Sequence, residues 1–400
     1  MGETHKTRVL IVGGGFGGVK AALELCAHRQ FDVTLLSDEP NFSFHPTLFH
    51  TATGGSKTQS SIPLHKLFED KSVLLVRGRA IELDRKRRIV KTAEGRNYEY
   101  DRLILSLGSV TNYFGVEGLA AYSYGTKSLK EVEELKMHLH RQLEDAHKPD
   151  LNYVIVGGGP TGIELAGALP HYLRKIMHAH HVRSRKFHID LVEAAPRLAP
   201  RLPVGMSLAI ARRLKRLGVT LYIGKAVQGE TADSLMVDGK SIQSHTVIWT
   251  AGMTNHPFFK DNKFELTPKG KVIVNHYLQA EKNIYVIGDN ADTPFSGMAQ
   301  TALYDAAFVA DNLVRRASGE AQAVYKPKKP IYVTPAGPHW AAVWWGRMQI
   351  YGRIGWMLRG FADLAGYHDL EPWWKAGEQW MSELATEESC PTCAAAMIRS

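Results

Sequence analysis

The fold of this chain is decided by the sequence RVLIVGGGFGG at residues 8–18, where an apolar run leads directly into three spaced glycines. The same arrangement returns at residues 152–162 as NYVIVGGGPTG. A helix-forming run follows each copy, at 19–25 and at 163–169. In this context the first glycine permits a tight turn, the second lets the backbone approach a pyrophosphate, and the third lets the helix pack on the strand. The duplication predicts two dinucleotide sites.

The residues that end the strand after each fingerprint distinguish the two copies. An acid there binds a ribose hydroxyl. The first strand ends on Ser37 and Asp38, so either Asp38 turns inward or the hydroxyl of Ser37 makes the contact. The second strand ends on Glu193, whose carboxylate would accept from the 2′-hydroxyl of NADH and repel the 2′-phosphate of NADPH. The basic insert before it, residues 171–186, is expected to form a solvated helix end and a loop.

Further strands complete each unit. Between the fingerprints, alternating short segments predict an antiparallel meander of strands at 73–78, 80–84, 88–91 and 98–101. An apolar strand then closes on Gly108, and its counterpart in the second unit closes on Gly252. A later strand at 283–287 leads into Gly288-Asp289 and a helix from Met298 to about Arg316. We therefore expect an α/β fold with two Rossmann-like domains, the second inserted in the first.

The domain boundaries follow from this repeat and from a change of composition beyond Pro327. We expect the first domain at 1–115 and 253–326, the inserted domain at 116–252 and a C-terminal module at 327–400. Four hundred residues are ample for such an arrangement.

Composition narrows the classes of partner. A formal net charge of +9 favours an anionic surface, but no run of Lys and Arg interleaved with aromatics resembles a nucleic-acid groove. Membrane lipid is therefore the expected anionic partner, and we expect no binding to nucleic acid. No apolar run reaches the roughly 18 residues needed to span a bilayer. Residues 1–6 lead almost directly into a strand without a signal sequence, so we expect a peripheral protein on the cytoplasmic face of the cell membrane.

The positions of the cysteines and histidines in the sequence predict no metal site. Three cysteines exclude a disulfide scaffold, and Cys26 is expected to be a small buried residue. The spacing of Cys390 and Cys393 is compatible with a redox relay or half of a metal site. With no second pair to complete the ligands, a disordered tail is the interpretation adopted. No metal-ligand spacing appears among the histidines, and His178, His180 and His181 are expected to be solvated.

Taken together, the motifs resemble those of the type II (non-proton-pumping) NADH:quinone oxidoreductases, which are flavoproteins with two dinucleotide-binding domains of the glutathione-reductase-like kind. The matching stretches are residues 12–18, 105–115, 156–166, 249–252, 287–289 and 299–300. The resemblance implies FAD in the first domain, NADH in the second and a quinone as electron acceptor.

The resemblance also implies roles for individual residues. The FAD residues would be Gly13, Gly15, Phe16, Gly18, Ser37, Asp38, Gly108, Asp289 and Ala299. The NADH residues would be Gly157, Gly159, Thr161, Gly162, Glu193 and Gly252. Asp289 would hold the ribityl chain and Gln300 a quinone carbonyl. Tyr304 and Asp305 depart from the family pattern, which has glutamines shortly after its Ala-Gln motif, so the resemblance does not carry that quinone contact over to this chain.

Two features have alternative interpretations. Glu164 matches a family glutamate near the flavin and the nicotinamide, where a buried carboxyl group can tune charge or relay protons. It could equally be a helix-face acid that stabilises the helix N-terminus. The aromatic loop lies near the isoalloxazine by resemblance, or else packs in the core; it comprises Phe42, Phe44, His45, Pro46 and Phe49.

The C-terminal module is rich in tryptophan. Residues 340–361 are apolar and aromatic with spaced arginines, which suits a helix lying in the membrane interface. Trp373, Trp374 and Trp380 extend this supply, so residues 338–381 are the predicted membrane surface. The alternatives are a homodimer interface or core packing, because aromatics and Arg are also enriched at interfaces.

These expectations combine into a peripheral-membrane FAD enzyme that passes two electrons from NADH to a quinone without pumping protons. The alternatives are a sulfide:quinone-type enzyme, a soluble NADH-dependent flavoprotein reductase with another acceptor such as ferredoxin, and an NADH-sensing flavoprotein. Sulfide and disulfide chemistry requires cysteines beside the flavin, and none lies in mid-chain.

Overall fold

The computed structural model describes residues 6–144, 152–182 and 186–388, together with Cys390 and Cys393. Its strands, in chain order, are β1 (Thr7–Val12), β2 (Phe31–Ser37), β3 (Asn41–Ser43), β4 (Ser61–Pro63), β5 (Val73–Arg77), β6 (Ala80–Asp84), β7 (Ile89–Thr92), β8 (Asn97–Glu99), β9 (Arg102–Leu105), β10 (Ser109–Thr111), β11 (Asn152–Val156), β12 (His188–Glu193), β13 (Val219–Ile223), β14 (Val227–Glu230), β15 (Ser234–Val237), β16 (Lys240–Gln243), β17 (Thr246–Trp249), β18 (Met253–Asn255), β19 (Gln279–Glu281), β20 (Ile284–Val286), β21 (Tyr332–Pro335), β22 (Ala341–Trp345) and β23 (Met348–Gly352).

The α-helices are α1 (Phe16–Cys26), α2 (Leu48–Ala52), α3 (Leu64–Leu67), α4 (Leu119–Tyr122), α5 (Leu129–Glu144), α6 (Pro160–Ala179), α7 (Val204–Arg216), α8 (Pro257–Asp261), α9 (Ala299–Ala317), α10 (Arg353–His368) and α11 (Trp373–Met381). Single turns of 3₁₀ helix occur at His45–Thr47, Lys57–Gln59, Gly288–Asn290 and Ser382–Leu384.

The first sheet has six strands in the order β19-β20-β9-β1-β2-β5. All neighbours are parallel except β19 and β20. The inner strands are apolar on both faces, because α1 and α9 cover one face and the strands β6 and β7 with α8 cover the other. The strand β20 pairs with β9 although the whole second sheet lies between them in sequence. The outer unit is therefore completed by chain that follows the inserted one.

One sequence prediction about this region is wrong. The segment at 73–78 was expected in the antiparallel meander, but β5 pairs in parallel with β2 at the edge of the first sheet. The meander consists only of β6, β7 and β8. An edge strand with one solvated face alternates as a meander strand does, and Leu74 of β5 is indeed exposed. Alternation alone could not separate the two arrangements.

The second sheet is wholly parallel, in the order β13-β12-β11-β17, with its own antiparallel meander β14-β15-β16. The helix α6 after its fingerprint continues through Pro170 to Ala179, with Tyr172 and Ile176 buried. The expectation that the insert forms only a solvated helix end and loop is therefore wrong for residues 171–179. A buried apolar face extends the helix well past the fingerprint, while residues 183–185 lie outside the described chain.

The two units meet where each leaves its sheet. The strand β10 follows Gly108, β18 follows Gly252, and the two strands pair antiparallel with Val110 opposite Thr254. Both glycines have positive φ, +69° and +67°, a conformation that glycine adopts without the strain of a Cβ. This junction sets the ends of the two fingerprint units side by side.

The C-terminal module is not the single helix expected over residues 340–361. The strands β21, β22 and β23 form an antiparallel sheet, and α10 begins only at Arg353. Gly346, at φ +60°, supplies the tight turn between β22 and β23, and Gly352 stands at the start of the helix. These glycines divide an apolar run that composition alone did not divide.

Candidate active site

Each fingerprint has the geometry that its glycines require. Gly13 and Gly157 stand at φ +114° and +117°, in the left-handed region. A Cβ on Gly18 would lie 1.8 Å from the Gly13 carbonyl oxygen, and one on Gly162 would lie 1.9 Å from that of Gly157. No side chain fits such approaches, so the first glycine makes the turn and the third lets the helix pack closely.

The middle glycine of each fingerprint opens onto free space. A Cβ on Gly15 or Gly159 would meet no atom within 4 Å, although each residue immediately precedes a helix. The unpaired N–H groups of that first turn face this space, which fits a pyrophosphate. Thr161 is exposed beside it in α6, whereas the ring of Phe16 is buried edge-on to Phe42 at 4.9 Å between centroids. Phe16 therefore offers a cofactor only its backbone.

The acid at the end of the second unit is held against its fingerprint. The Glu193 carboxylate accepts from the N–H of Gly158 and from the N–H of Ala195, both at 2.6 Å. In the equivalent position of the first unit, the buried hydroxyl of Ser37 donates to the carbonyl of Glu39 at 2.8 Å. Glu193 thus presents a fixed negative charge where the first unit has a neutral, internally bonded side chain.

Asp38, unlike Ser37, lies at the cleft beside the first fingerprint. It is exposed and lines a small cleft with Gly13, Arg79 and His256. Burial lowers the pKa of His256, and the charge of Asp38 opposes that effect, which places the carboxylate close to the imidazole. Of the two candidates at this strand end, Asp38 faces the fingerprint cleft.

The turn at Gly108 is fixed by a residue that the sequence did not single out. The Asn290 side chain accepts from the Gly108 N–H at 2.9 Å and donates to the Gly108 carbonyl at 2.6 Å. Next to it, the Ser109 hydroxyl donates to the Asp289 carboxylate at 2.8 Å. The Gly288-Asp289-Asn290 turn and the turn that leads from β9 into β10 therefore form one hydrogen-bonded unit.

A half-buried lysine adds positive charge at the same place. Lys127 donates to the Ser109 hydroxyl at 2.9 Å and to the Ser109 carbonyl. Burial lowers its pKa to about 8, and the carboxylates of Asp289 and Glu131 partly offset this. Nothing in its local sequence marks Lys127, because Ser109 and Asp289 belong to other segments of the chain.

The departures at Tyr304 and Asp305 have a structural explanation. The buried Asp305 carboxylate accepts from the Gly288 N–H at 3.0 Å and from the Tyr325 hydroxyl at 2.6 Å. Burial raises its pKa to about 6. The Tyr304 hydroxyl donates to the carbonyl of Lys326 at 2.9 Å. Asp305 therefore ties the Gly288 turn to the chain after α9, and Tyr304 holds the same part of that chain.

Gln300 stands in the first turn of α9, directly after Ala299, with its side chain at the surface. Its amide oxygen accepts from the N–H of Ile331 at 3.0 Å, and its amide nitrogen donates to the carbonyl of Ile331 at 3.1 Å. The side chain therefore anchors the segment that leads into β21.

Glu164 is buried in α6, only 9 % exposed, and burial raises its pKa to about 8. Arg359 of α10 approaches its carboxylate at 3.5 Å and donates to Asp363 at 2.5 Å. A third Arg359 contact is a hydrogen bond of 2.7 Å to the carbonyl of Pro46. Burial acts to lower the pKa of Arg359, but the two carboxylates outweigh it and raise that pKa.

The aromatic loop shows the core packing that was one of its two expected roles. Phe42 and Phe44 belong to the core, and Phe44 stacks on Tyr367 of α10 with centroids 4.1 Å apart. Phe49 lies 5.9 Å from the Arg359 guanidinium. The loop thus packs α10 onto the first domain, and Phe49 brings it next to Arg359, the residue that approaches Glu164.

Sequence reasoning missed a cluster of His140, His180, Cys390 and Cys393, whose ligand atoms all lie within 4.8 Å of one another. The expectation of a loose tail is wrong for the two cysteines, since Cys393 is only 4 % exposed in the core beside α5 and α6. The expectation of a solvated His180 is wrong too, while His178 and His181 are exposed as expected. Residues from such distant segments share no spacing that could have revealed the cluster.

Two curated proteins are similar along most of the chain. The type II NADH:quinone oxidoreductase Ndh of Mycobacterium tuberculosis is 28% identical over 350 residues, covering 81% of this chain and 75% of that protein. A type II NADH:quinone oxidoreductase of Staphylococcus aureus is 25% identical over 339 residues, covering 79% and 84%.

Solved structures share the fold. NDH2 of Plasmodium falciparum in complex with NADH superposes with a TM-score of 0.85 at 16% identity, covering 94% of this chain and 97% of that one. The sulfide:quinone oxidoreductase of Aquifex aeolicus superposes with a TM-score of 0.75 at 19% identity, covering 93% and 92%. The profile of the pyridine nucleotide-disulphide oxidoreductases matches residues 7–308, a stretch that contains every strand of the six-stranded and the four-stranded sheet. This chain belongs to the pyridine nucleotide-disulphide oxidoreductase family.

Proposed function

We propose that the chain is an FAD-dependent type II NADH:quinone oxidoreductase, which passes two electrons from NADH to a membrane quinone without pumping protons. The observation that carries this proposal is the pairing of β10 with β18, because it joins the ends of two dinucleotide units at one place. The M. tuberculosis and S. aureus relatives carry this activity in their names. Bound FAD would supply the redox chemistry, and the protein would supply orientation, electrostatics and exclusion of water.

We assign FAD to the first domain, at 1–115 and 253–326. The space in front of Gly15 accommodates a pyrophosphate at the N-terminus of α1. Asp38, from its place in the cleft, is our ribose ligand, with Ser37 supporting the strand end. Asp289 would receive the ribityl hydroxyls. The remaining contacts we assign to FAD are Gly13, Phe16 through its backbone, Gly18, Gly108 and Ala299.

We assign NADH to the inserted domain, at 116–252, with its pyrophosphate in front of Gly159. Glu193 is the proposed ribose ligand, because its fixed carboxylate lies beside the fingerprint and disfavours a 2′-phosphate. The other proposed contacts are Gly157, Thr161, Gly162 and Gly252.

Glu164 is the proposed proton-holding group near the acceptor. With a pKa of about 8 its carboxyl group is mostly protonated at neutral pH, so it can donate a proton as well as receive one. Arg359 and Asp363 keep it in a fixed place. A surface acid that merely complements the helix dipole would not need this burial.

Gln300 is the proposed ligand of a quinone carbonyl. A primary amide has two N–H donors, and the Ile331 carbonyl accepts one of them. The other is the donor that we assign to the quinone. Since the same side chain anchors residue 331, loss of Gln300 would also loosen the segment that leads into β21.

The C-terminal module is the proposed membrane-facing surface, within residues 338–381. In the described part of the chain, no helix combines the length and apolar character that crossing a bilayer requires. On α10, however, Ile354, Met357 and Phe361 are 64 %, 56 % and 60 % exposed, and their spacing puts them on one face. Trp373 and Trp374 of α11 are exposed as well. We infer peripheral binding to the cytoplasmic face of the cell membrane; a homodimer through this surface is the alternative.

The deciding experiment uses the purified full chain. Its absorbance spectrum should show a flavin, which NADH bleaches and a short-chain quinone restores. Steady-state NADH oxidation should rise with quinone concentration. Rapid NADH oxidation that does not depend on quinone would contradict the quinone assignment and favour a soluble reductase, and a flavin reduced without turnover would favour an NADH sensor.

The sulfide:quinone alternative requires cysteines beside the flavin, and none lies at the fingerprint turns. All three cysteines lie away from the fingerprint turns: Cys26 ends α1, and Cys390 and Cys393 lie beside His140 and His180. Sulfide in place of NADH should therefore leave the flavin oxidised, and a sulfide-bleached flavin would reverse this assignment.

A further inference from the structure

Four side chains with metal-binding atoms converge on one point outside the proposed redox site. His140 comes from α5, His180 directly follows α6, and Cys390 and Cys393 come from the C-terminal end of the described chain. The Sγ of Cys393 lies 3.3 Å from Nε2 of His180 and 3.7 Å from Nδ1 of His140. The Sγ of Cys390 lies 3.4 Å from Nε2 of His180.

These separations are those of a tetrahedral zinc site. With Zn–S bonds of about 2.3 Å and Zn–N bonds of about 2.0–2.1 Å, tetrahedral angles place S and N ligands roughly 3.6 Å apart. The three S···N distances bracket that value at 3.3, 3.4 and 3.7 Å. All the ligand atoms also lie within 4.8 Å of one another. One ion could therefore contact them all with small side-chain movements.

A second, independent observation is the partner of His140 on its other nitrogen. Nε2 of His140 lies 3.1 Å from the Glu388 carboxylate and 3.0 Å from the Tyr172 hydroxyl. The Glu388 side chain is only 1 % exposed and also receives Lys136 at 3.6 Å. A histidine that ligates zinc commonly donates its second N–H to a carboxylate, which fixes the tautomer and aims the lone pair at the metal. Here that carboxylate leaves Nδ1 facing Cys393.

We propose that His140, His180, Cys390 and Cys393 bind a zinc ion, which fastens the C-terminal end of the chain to α5 and α6. Four protein ligands fill a tetrahedral shell and leave no open position, so the site is structural and not catalytic. On binding, the two thiols release their protons to solvent, and the two thiolates balance the charge of Zn²⁺. The imidazoles bind as neutral ligands.

The direct test is the metal content of the full chain, purified without a metal-affinity step and with zinc measured by plasma mass spectrometry. We expect about one zinc per chain. The double variant Cys390→Ser, Cys393→Ser should retain less than roughly a tenth of that zinc. Cys26→Ser is the matched control, because it removes the remaining thiol, which lies at the end of α1, and it should retain the zinc.

A second measurement tests the site even if the double variant fails to fold. Wild-type chain stripped with a chelator and loaded with Co²⁺ should develop the thiolate-to-cobalt charge-transfer band and the visible bands of a tetrahedral site. His180→Ala should weaken both sets of bands, whereas His178→Ala, which alters an exposed histidine two residues earlier, should not. Equal zinc in wild type and double variant would overturn the proposal. So would a disulfide between Cys390 and Cys393 in the isolated chain, seen as the loss of two hydrogen masses.

Discussion

Glu164 and Arg359 are separated by almost half of the chain, yet their side chains meet at 3.5 Å in the buried group on which the proposed proton chemistry depends. Burial alone would leave the Glu164 carboxyl group neutral and would disfavour the Arg359 charge. Asp363 supplies a second, closer carboxylate, so the guanidinium stays charged while Glu164 keeps its raised pKa. The result is one buried positive charge between a carboxylate and a carboxyl group that can change its protonation.

Replacement of Glu164 by Gln should change how stability depends on pH. The folded chain raises the pKa of Glu164 to about 8, so its contribution to the free energy of unfolding is fully present below the unfolded pKa of about 4.3 and is lost as pH rises through 8. The variant should lack this decline, which amounts to at most about 1.4 kcal/mol per pH unit. Denaturant unfolding at a series of pH values measures the slope. Glu134→Gln, on the surface of α5, is the control and should keep the wild-type slope.

Replacement of Glu193 by Gln should relax the preference for NADH over NADPH. The fixed carboxylate repels a 2′-phosphate, and its removal should improve the kcat/KM for NADPH relative to NADH by roughly tenfold. Glu117→Gln removes an exposed acid from the same domain and should leave the ratio as it is. An unchanged ratio in the Glu193 variant would show that another residue binds the ribose.

At this scale the sequence predicted positions better than roles. The glycines and Glu193 could be located because a strand, a turn and a helix fix them locally. Lys127 and Arg359 could not, since each reaches its site from a segment with no motif of its own. Asn290 directly follows the Gly288-Asp289 motif, but only the fold shows that its side chain holds Gly108. Asp305 looked like a lost quinone contact and is a buried acceptor for the Gly288 turn.

At the scale of elements, the C-terminal module shows how an apolar run can be misread. Residues 340–352 are aromatic and apolar, as an interfacial helix would be, but they form β22, a tight turn and β23. Their inward side chains pack in the core, and Arg359, one of the arginines expected to meet lipid, is buried beside Glu164. The exposed apolar residues of α10 and α11 are what supports membrane binding.

Substitution of Ile354, Met357 and Phe361 by Glu should weaken binding to anionic vesicles by at least about tenfold. The change removes three exposed apolar side chains and adds three negative charges on one face of α10. The control triple variant Leu74→Glu, Ile81→Glu, Val324→Glu makes the same charge change at exposed apolar positions of the first domain. Vesicle co-sedimentation compares the two. Unchanged sedimentation of the α10 variant, with a dimer turned into a monomer, would assign this face to a homodimer instead.

At the scale of the whole molecule, the C-terminal end ties parts that are distant in sequence. The Glu387 carboxylate accepts from the hydroxyl of Ser56 and from the N–H of Lys57, both at 3.0 Å, next to a bridge between Gly55 and Thr386. One residue later, Glu388 bonds to Tyr172 of α6 at 3.0 Å. The chain therefore crosses from the first domain to the inserted one within a few residues.

Deletion of residues 386–400 should lower the thermal midpoint by roughly 2–5 °C, because Lys136 and His140 lose a buried carboxylate and Cys393 leaves a cavity. Deletion of residues 394–400 alone removes none of these groups and serves as the control. Differential scanning calorimetry of the two truncated chains makes the comparison. Equal midpoints would mean that the end of the chain adds nothing to stability.

The order of strands in the first sheet also has a consequence for biosynthesis. The second sheet is built from residues 152–249 without interruption, whereas the first sheet needs β20, at Ile284–Val286, to cover one edge of β9. On the ribosome, the inserted unit can therefore finish its sheet while the outer unit still has an open strand edge. Arg359 emerges later still, so Glu164 is synthesised well before its partner. Nascent chains that stall after the second sheet is complete but before β20 is made would be the ones most prone to edge-to-edge aggregation.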